Sequence, residues 1–119
     1  MARYRLSGPA KADITSLLRT SELRFGADAR KRYSTLLVAS LRRIAADPYG
    51  LLTRDQGQII EGLRSFHIRH GRRESTAAPV ASPVHVLFFR SVSPGQIEVL
   101  RVLHERMDLA ANMAPHIDR

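Results

Sequence analysis

The chain has 119 residues, which is enough for one domain with one hydrophobic core, and we expect residues 1–119 to form that single domain. Hydrophobic residues make up 44% of it. No apolar run approaches the roughly 18 residues that a membrane-spanning helix needs, so we expect no membrane segment. Cysteine is absent, which excludes a disulfide framework and thiolate chemistry.

Basic residues dominate the charge of the chain. The formal net charge is +8, and 17 of the 19 basic residues are Arg. Such a balance predicts an anionic partner: nucleic acid, a nucleotide or an acidic protein. The excess of Arg favours bidentate contacts with carboxylate or phosphate groups. The first residues, MARYRLSGP, contain no apolar stretch typical of a secretion signal, and together with the lack of cysteine this favours a cytoplasmic protein.

The first half of the sequence predicts a strand followed by a helical hairpin. Residues 3–6 alternate as a short strand, and Ser7-Gly8-Pro9 marks the start of a first helix that ends at Phe25-Gly26. Asp28 is the expected cap of a second helix, which ends at Asp47-Pro48. We assign the apolar stripe of this helix to the core. Its periodic positions are Ala29, Tyr33, Leu36, Leu37, Ser40, Leu41 and Ile44.

The second half of the sequence predicts three strands. The elements expected there are a loop over 49–62, strands over 63–70, 84–92 and 97–103, a mobile Ala/Ser/Pro-rich hairpin loop over 73–83 and a short helix over 108–113. Alternation in the last strand places Ile97, Val99 and Leu103 on one face and Leu100 and Val102 on the other.

This β-α-α-β-β-β order predicts an α+β fold. The antiparallel helical hairpin should cover one face of a small, mostly antiparallel sheet. The other face is also apolar in the last two strands, and only the short C-terminal helix is left to cover it. An uncovered apolar face on a small basic protein predicts a partner that lies across it.

Two stretches, GLRSFHIRH and IEVLRVLHERMDLA, together with this order of elements, resemble the ParE branch of the RelE/ParE toxin family. The resemblance covers nearly the whole chain, from YRLSGPAKADI to the last strand. It implies the toxin of a type II toxin–antitoxin module. It also implies a ParD-like antitoxin, whose acidic segment folds over the toxin, and DNA gyrase as the target, poisoned so that cleaved DNA accumulates. The RelE branch instead cleaves messenger RNA on the ribosome.

Arg101 is the most unusual residue of the last strand, because a charge on an apolar face costs several kcal/mol unless it is paired. One interpretation is a structural pair with Glu98, Glu105 or a backbone carbonyl. The other is an arginine that binds a carboxylate of the target or antitoxin.

His104 and Arg106, at the exit of the last strand, could serve RNA cleavage, with His104 as acid or base and Arg106 steadying the phosphate. RelE-like nucleases usually carry a tyrosine near the C-terminus, and here none follows Tyr49. We therefore favour a His104 that packs with its ring hydrogen-bonded and an Arg106 that faces a partner. A positive surface that is either a solvated edge or a target contact is expected from Arg64, Arg69, Arg72 and Arg73.

The nearby His67 and His70 lack Cys or paired carboxylates, so we expect no metal site. The residues that we predict to contact the target or the antitoxin are Arg64, Arg69, Arg72, Arg101, His104 and Arg106.

The favoured function is a non-enzymatic poison of gyrase, without cofactor or metal, that binds a cognate acidic antitoxin. The alternatives are a ribosome-dependent mRNA endonuclease and a basic module that binds nucleic acid.

Overall fold

The computed structural model describes residues 2–76 and 79–113. The elements in chain order are β1 (Arg3–Leu6), α1 (Gly8–Phe25), α2 (Ala27–Ala46), β2 (Arg54–Asp55), β3 (Arg64–His67), a 3-10 helix (Ile68–Ser75), β4 (His85–Ser93), β5 (Gln96–His104) and α3 (Leu109–Met113). The strands form one sheet in the order β1-β5-β4-β3-β2, in which β1 is parallel to β5 and the other pairs are antiparallel. The predicted α+β fold is confirmed, with the two-residue β2 as an addition. No helix in the described ranges has the length and apolar character needed to cross a bilayer.

A single glycine separates the two helices of the hairpin. The Ser7 hydroxyl caps α1 by accepting a hydrogen bond from the Ala10 N–H (3.1 Å), as the sequence predicts. Gly26 then ends α1 and precedes α2 with φ at 94°, a conformation that favours glycine. Because this residue turns the chain alone, α2 begins at Ala27, and the predicted cap Asp28 lies within its first turn without capping it.

The main core lies between the helical hairpin and one face of the sheet. The predicted stripe of α2 is confirmed, since Leu36, Leu37, Leu41 and Ile44 are all buried there. They pack with side chains from the middle of the sheet, namely Phe66, Leu87, Phe89, Ile97, Val99 and Val102.

The second face of the sheet is covered by the chain itself, so the prediction of an uncovered face is wrong. Its apolar residues form a second cluster, which comprises Ile60, Leu63, Phe88, Leu100, Leu103 and Met113. Hydrogen bonds from Gln56 N to Leu63 O and from Leu63 N to Ile60 O fold the 56–63 segment back on itself. Met113 of α3 is fully buried from the other side. The sequence did not reveal this cover because residues 49–62 carry no helical or strand period.

The predicted strand over 63–70 is only four residues long. After His67 the chain continues as the 3-10 helix, in which Ile68, Gly71 and Ser75 are buried. The His67 Nδ1 accepts a hydrogen bond from the Arg69 N–H (3.1 Å), which caps the 3-10 helix at the point where the strand stops. The first three residues of the predicted mobile loop over 73–83 belong to this helix. Residues 77 and 78 lie outside the described residues, and the mobility of the loop stays a prediction.

A β-bulge in β5 overturns the predicted alternation. Phe89 pairs with Val99 and Phe88 pairs with Arg101, so Leu100 is an extra residue in the strand. Beyond the bulge, each side chain of β5 points to the face opposite to the one that simple alternation predicts. Val102 therefore joins the main core, and Leu100 and Leu103 both join the second cluster.

Candidate functional site

Arg101, which follows the bulge, is held by the first helix. Its Nε and Nη2 donate to the two carboxylate oxygens of Asp13 at 2.8 Å each, and its Nη1 donates to the carbonyl oxygen of Asn112 at 2.9 Å. Asp13 also accepts from the Val102 N–H at 2.9 Å. The hydrogen bonds that Arg101 donates to Asp13 raise the pKa of this guanidinium. Arg101 thus has the backbone carbonyl that the structural interpretation expected, but its acid is Asp13 and neither Glu98 nor Glu105.

The end of β5 places His104 beside a second histidine. The His104 Nδ1 accepts a hydrogen bond from the Arg106 N–H at 3.1 Å, so the ring carries its proton on Nε2 when neutral. Its ring meets that of His85 edge to face, with 5.7 Å between centroids. The backbone amide of Glu105 donates to the Val84 carbonyl at 2.8 Å, which fixes the position of this turn against β4.

Tyr33 and His85 form a short hydrogen bond between α2 and β4. The Tyr33 Oη lies 2.6 Å from the His85 Nδ1 and accepts from the Val84 N–H at 3.1 Å. Burial, together with the charges of His104 and His67, lowers the pKa of His85 to about 4, and burial raises the pKa of Tyr33. Both groups are therefore neutral at pH 7, and the tautomer of His85 decides which of them donates this hydrogen bond.

His67 and Glu105 connect β3 to the turn after β5. The His67 Nε2 lies 2.6 Å from the Glu105 Oε1. Because the His67 Nδ1 accepts from the Arg69 N–H, the proton is on Nε2, which donates to the carboxylate. This hydrogen bond lowers the pKa of Glu105.

Two clefts meet at His104 and Met107. The first, which we call the helix-side cleft, has a volume of about 640 Å³ and lies between α1, α2 and the 79–85 segment. The second, which we call the sheet-side cleft, has a volume of about 300 Å³ and lies between β2, β3, the start of the 3-10 helix and the turn after β5. The helix-side cleft is mostly apolar, whereas the sheet-side cleft combines basic and polar groups with apolar residues that include Val86, Phe88 and Leu109.

The predicted contact residues do not lie together in one site. Arg69 and His104 line the sheet-side cleft together. Arg64 donates from Nη2 to the Thr53 Oγ1 at 2.8 Å and lies over the Tyr49 ring. Arg72 is exposed on the 3-10 helix, and Arg106 is exposed in the turn after β5. Arg101 is committed to Asp13, so its role as a target contact has no geometric support, whereas the roles of the others stay predictions.

Sequence reasoning missed four residues that shape this region: Asp13, His85, Glu105 as a partner of His67, and Tyr33 as a hydrogen-bonding residue. Tyr33 was assigned to the core by its helical period, which carries no information about its hydroxyl. Asp13 and Arg101 are 88 positions apart, and nothing local marks either as the partner of the other. The position of Asp13 next to Ile14, in the apolar stripe of the first helix, was the one available signal.

Comparison with known proteins identifies the family. The model of the ParE toxin of type II toxin–antitoxin systems, parDE, matches residues 4–109. Toxin ParE1 of Caulobacter vibrioides is 34% identical over 113 residues, which cover 95% of this chain and 99% of that protein. Toxin ParE1 of Mycobacterium tuberculosis is 33% identical over 94% of this chain and 98% of its own length. Toxin ParE of Escherichia coli is 26% identical over 98% of each chain.

The matched residues include all but the first residue of β1, both long helices and all four remaining strands, so the similarity is that of a whole fold and not of one motif. The sequence resemblance is thereby confirmed at the level of the family: this chain belongs to the ParE toxin family of type II toxin–antitoxin systems.

Proposed function

We propose that this toxin poisons DNA gyrase without catalysing a reaction of its own and is neutralised by a ParD-like antitoxin. The observation that supports the proposal most strongly is the match to ParE toxins along 94% or more of the chain. The family description names parDE, a toxin paired with an antitoxin, and we extend that pairing to this chain.

The charge of the chain and the helix-side cleft support an acidic antitoxin. The net charge of +8 attracts an anionic segment. Arg24 and Arg32 line the cleft beside apolar groups that include Val80 and Phe25, the latter 73% exposed. A groove that combines exposed apolar surface with cations suits an amphipathic acidic segment that folds on binding.

The hydrogen bonds around His104 support a non-enzymatic action. The Nδ1 of His104 is occupied by a backbone amide, and His85 and Tyr33 are neutral and bonded to each other. A general acid or base works best when its pKa is near the operating pH, and the pKa of His85, at about 4, is far from that. These groups are better suited to holding β4, β5 and α2 together than to transferring protons.

The mRNA endonuclease remains the second candidate, and one observation favours it. The sheet-side cleft groups His67, Arg69 and His104, which are residue types that a phosphodiester-cleaving site uses. If His104 were the acid or base of such a site, His104→Gln would lower cleavage by about 10²–10⁴-fold.

Expression in cells tests the proposal. The chain is induced alone and together with the antitoxin encoded beside it, while DNA breaks and the integrity of messenger RNA are followed in parallel. We expect growth arrest with DNA breaks and intact messenger RNA, and full relief by the antitoxin. His104→Gln should arrest growth as the parent does. Early, ribosome-dependent cuts in messenger RNA that His104→Gln abolishes would replace the proposal with the second candidate.

A further inference from the structure

The sheet-side cleft gathers basic groups from separate parts of the chain. Among the residues that line it are Arg54, Gln56, His67, Arg69, His70 and His104, around a volume of about 300 Å³. They come from β2 and the residue after it, the end of β3, the 3-10 helix and the end of β5. His67 and His104 also make hydrogen bonds within the fold, whereas no hydrogen bond or ion pair within residues 2–76 and 79–113 commits the side chains of Arg54 and Arg69.

Charge in this cleft is unbalanced. Arg54 and Arg69 are exposed, and within residues 2–76 and 79–113 neither lies within ion-pair distance of a carboxylate. The one acid among the lining residues is Glu105, which accepts the hydrogen bond of His67. The pKa of His70 is lowered by burial and then by the charges of Arg69, His67, Arg43 and Arg54, so the local potential at His70 is positive.

We propose that the sheet-side cleft binds a phosphate group of a nucleic-acid backbone. Arg54 and Arg69 supply the paired donors that phosphate oxygens accept, and His70 and the Nε2 of His104 supply further donors once the anion is present. A volume of about 300 Å³ is large enough for one phosphodiester with its sugar. This inference goes beyond the action on gyrase, since it concerns a ligand of the toxin itself and holds for any target.

Binding to short single-stranded oligonucleotides of one sequence, as DNA and as RNA, tests the cleft. Fluorescence anisotropy with the purified full-length chain is measured over a series of salt concentrations. The double variant Arg54→Gln/Arg69→Gln is compared with Arg19→Gln/Arg42→Gln, which removes the same charge from exposed positions on α1 and α2 outside both clefts. We expect the cleft variant to bind about tenfold more weakly and the slope of log K against log salt to become shallower by about 1 to 2. The helix variant should retain most of the affinity and the slope.

A second measurement uses inorganic phosphate and the parent chain. NMR titration of the histidine ring protons should show that phosphate raises the measured pKa of His70, because the anion offsets the surrounding cations. In the cleft variant phosphate should leave that pKa unchanged.

The nucleic acid bound more tightly in the anisotropy series identifies the source of the phosphate. Equal weakening by the two double variants would mean that only diffuse charge attracts nucleic acid, and the proposal would be overturned. A His70 pKa that saturating phosphate does not move would overturn it as well. Neither outcome depends on gyrase, so the two proposals can fail separately.

Discussion

Arg101 connects three elements that are distant in the sequence. Its guanidinium holds Asp13 of α1 and the carbonyl of Asn112 in α3, while its own backbone belongs to β5. The side chains of Arg101 and Asp13 are 18% and 15% exposed, so the pair is shielded from most solvent. The guanidinium of Arg101, whose place on an apolar strand was unexpected from the sequence, therefore connects the helical hairpin to the sheet.

Removal of one partner of this ion pair should lower the stability of the fold. We expect Asp13→Asn to lower the free energy of unfolding by about 2–4 kcal/mol, because it leaves a largely buried guanidinium without its carboxylate. Urea unfolding followed by circular dichroism measures the loss. Glu61→Gln, at an exposed position, is the control and should change stability by less than about 0.5 kcal/mol. A loss for Asp13→Asn as small as that of the control would contradict the structural role of the pair.

Gly71 and Ser40 make the closest approach of the 3-10 helix to α2. A Cβ built on Gly71 would lie 2.2 Å from the Ser40 Oγ, and that buried hydroxyl has no hydrogen-bond partner in the described chain. We expect Gly71→Ala to destabilise the protein by about 1–3 kcal/mol through overpacking. Ser40→Ala alone should leave stability unchanged or raise it, since it removes an unsatisfied polar atom.

The double variant sharpens this test. With Ser40→Ala in place, the nearest atoms to the new Cβ are the Cβ and Cα of residue 40, at 3.3 and 3.4 Å. Most, though not all, of the loss caused by Gly71→Ala should therefore be recovered in a thermal-unfolding cycle. Strictly additive effects of the two substitutions would show that this contact does not determine the cost.

His85 should make stability depend on pH. Its pKa in the folded protein is about 4, below the usual 6.5, so the unfolded chain binds the proton more readily. The stability that this histidine contributes is fully present above about pH 6.5 and is lost as the pH falls towards 4. We expect His85→Gln to be less stable at pH 7 but to lose less stability between pH 6.5 and 4.5 than the parent. Urea midpoints at the two pH values measure this, with Arg19→Gln as a control that keeps the parental loss.

At the scale of elements, α3 and the 56–63 segment complete the second face of the sheet. Met113 is fully buried against Leu100 and Leu103, although α3 has only five residues. We expect Met113→Ala to lower the free energy of unfolding by about 2–4 kcal/mol. Leu51→Ala, at a fully exposed position, should have almost no effect. If the two substitutions cost the same in urea unfolding, the short helix does not hold this face.

The elements that the sequence predicted well are those in which apolar residues recur at a regular helical spacing or which have clear end signals. The stripe of α2 and the limits set by Ser7, Gly26 and Asp47-Pro48 were read directly from the residues. The 3-10 helix was predicted as strand because Phe66, Ile68 and His70 continue the alternation of β3, although only tertiary contact with α2 decides the conformation there. The bulge at Leu100 was invisible for the same reason, since the extra residue is defined by its partner strand.

At the scale of the molecule, the family could be inferred from sequence, whereas the candidate site could not be located. The basic residues of the sheet-side cleft are separated by up to 50 positions, and topology alone brings Arg54 and His104 to one opening. The residues that form hydrogen bonds with Asp13, Tyr33 and Glu105 are likewise far from them in the sequence. The apolar second face, which the alternation of the strands singled out as a surface for a partner, is part of the core.

We propose that the toxin acts on gyrase and not on RNA, and a cleavage assay with purified components measures this most directly. Supercoiled plasmid and gyrase are incubated with the purified chain, and the reaction is stopped with denaturant and protease. A parallel translation reaction reports cuts in messenger RNA. We expect linear DNA that forms only when the toxin and gyrase are both present. His104→Gln should give the same yield of linear DNA, and the messenger RNA should show no new ends. Unbroken plasmid together with messenger RNA that is cut by the parent and spared by His104→Gln would contradict this proposal.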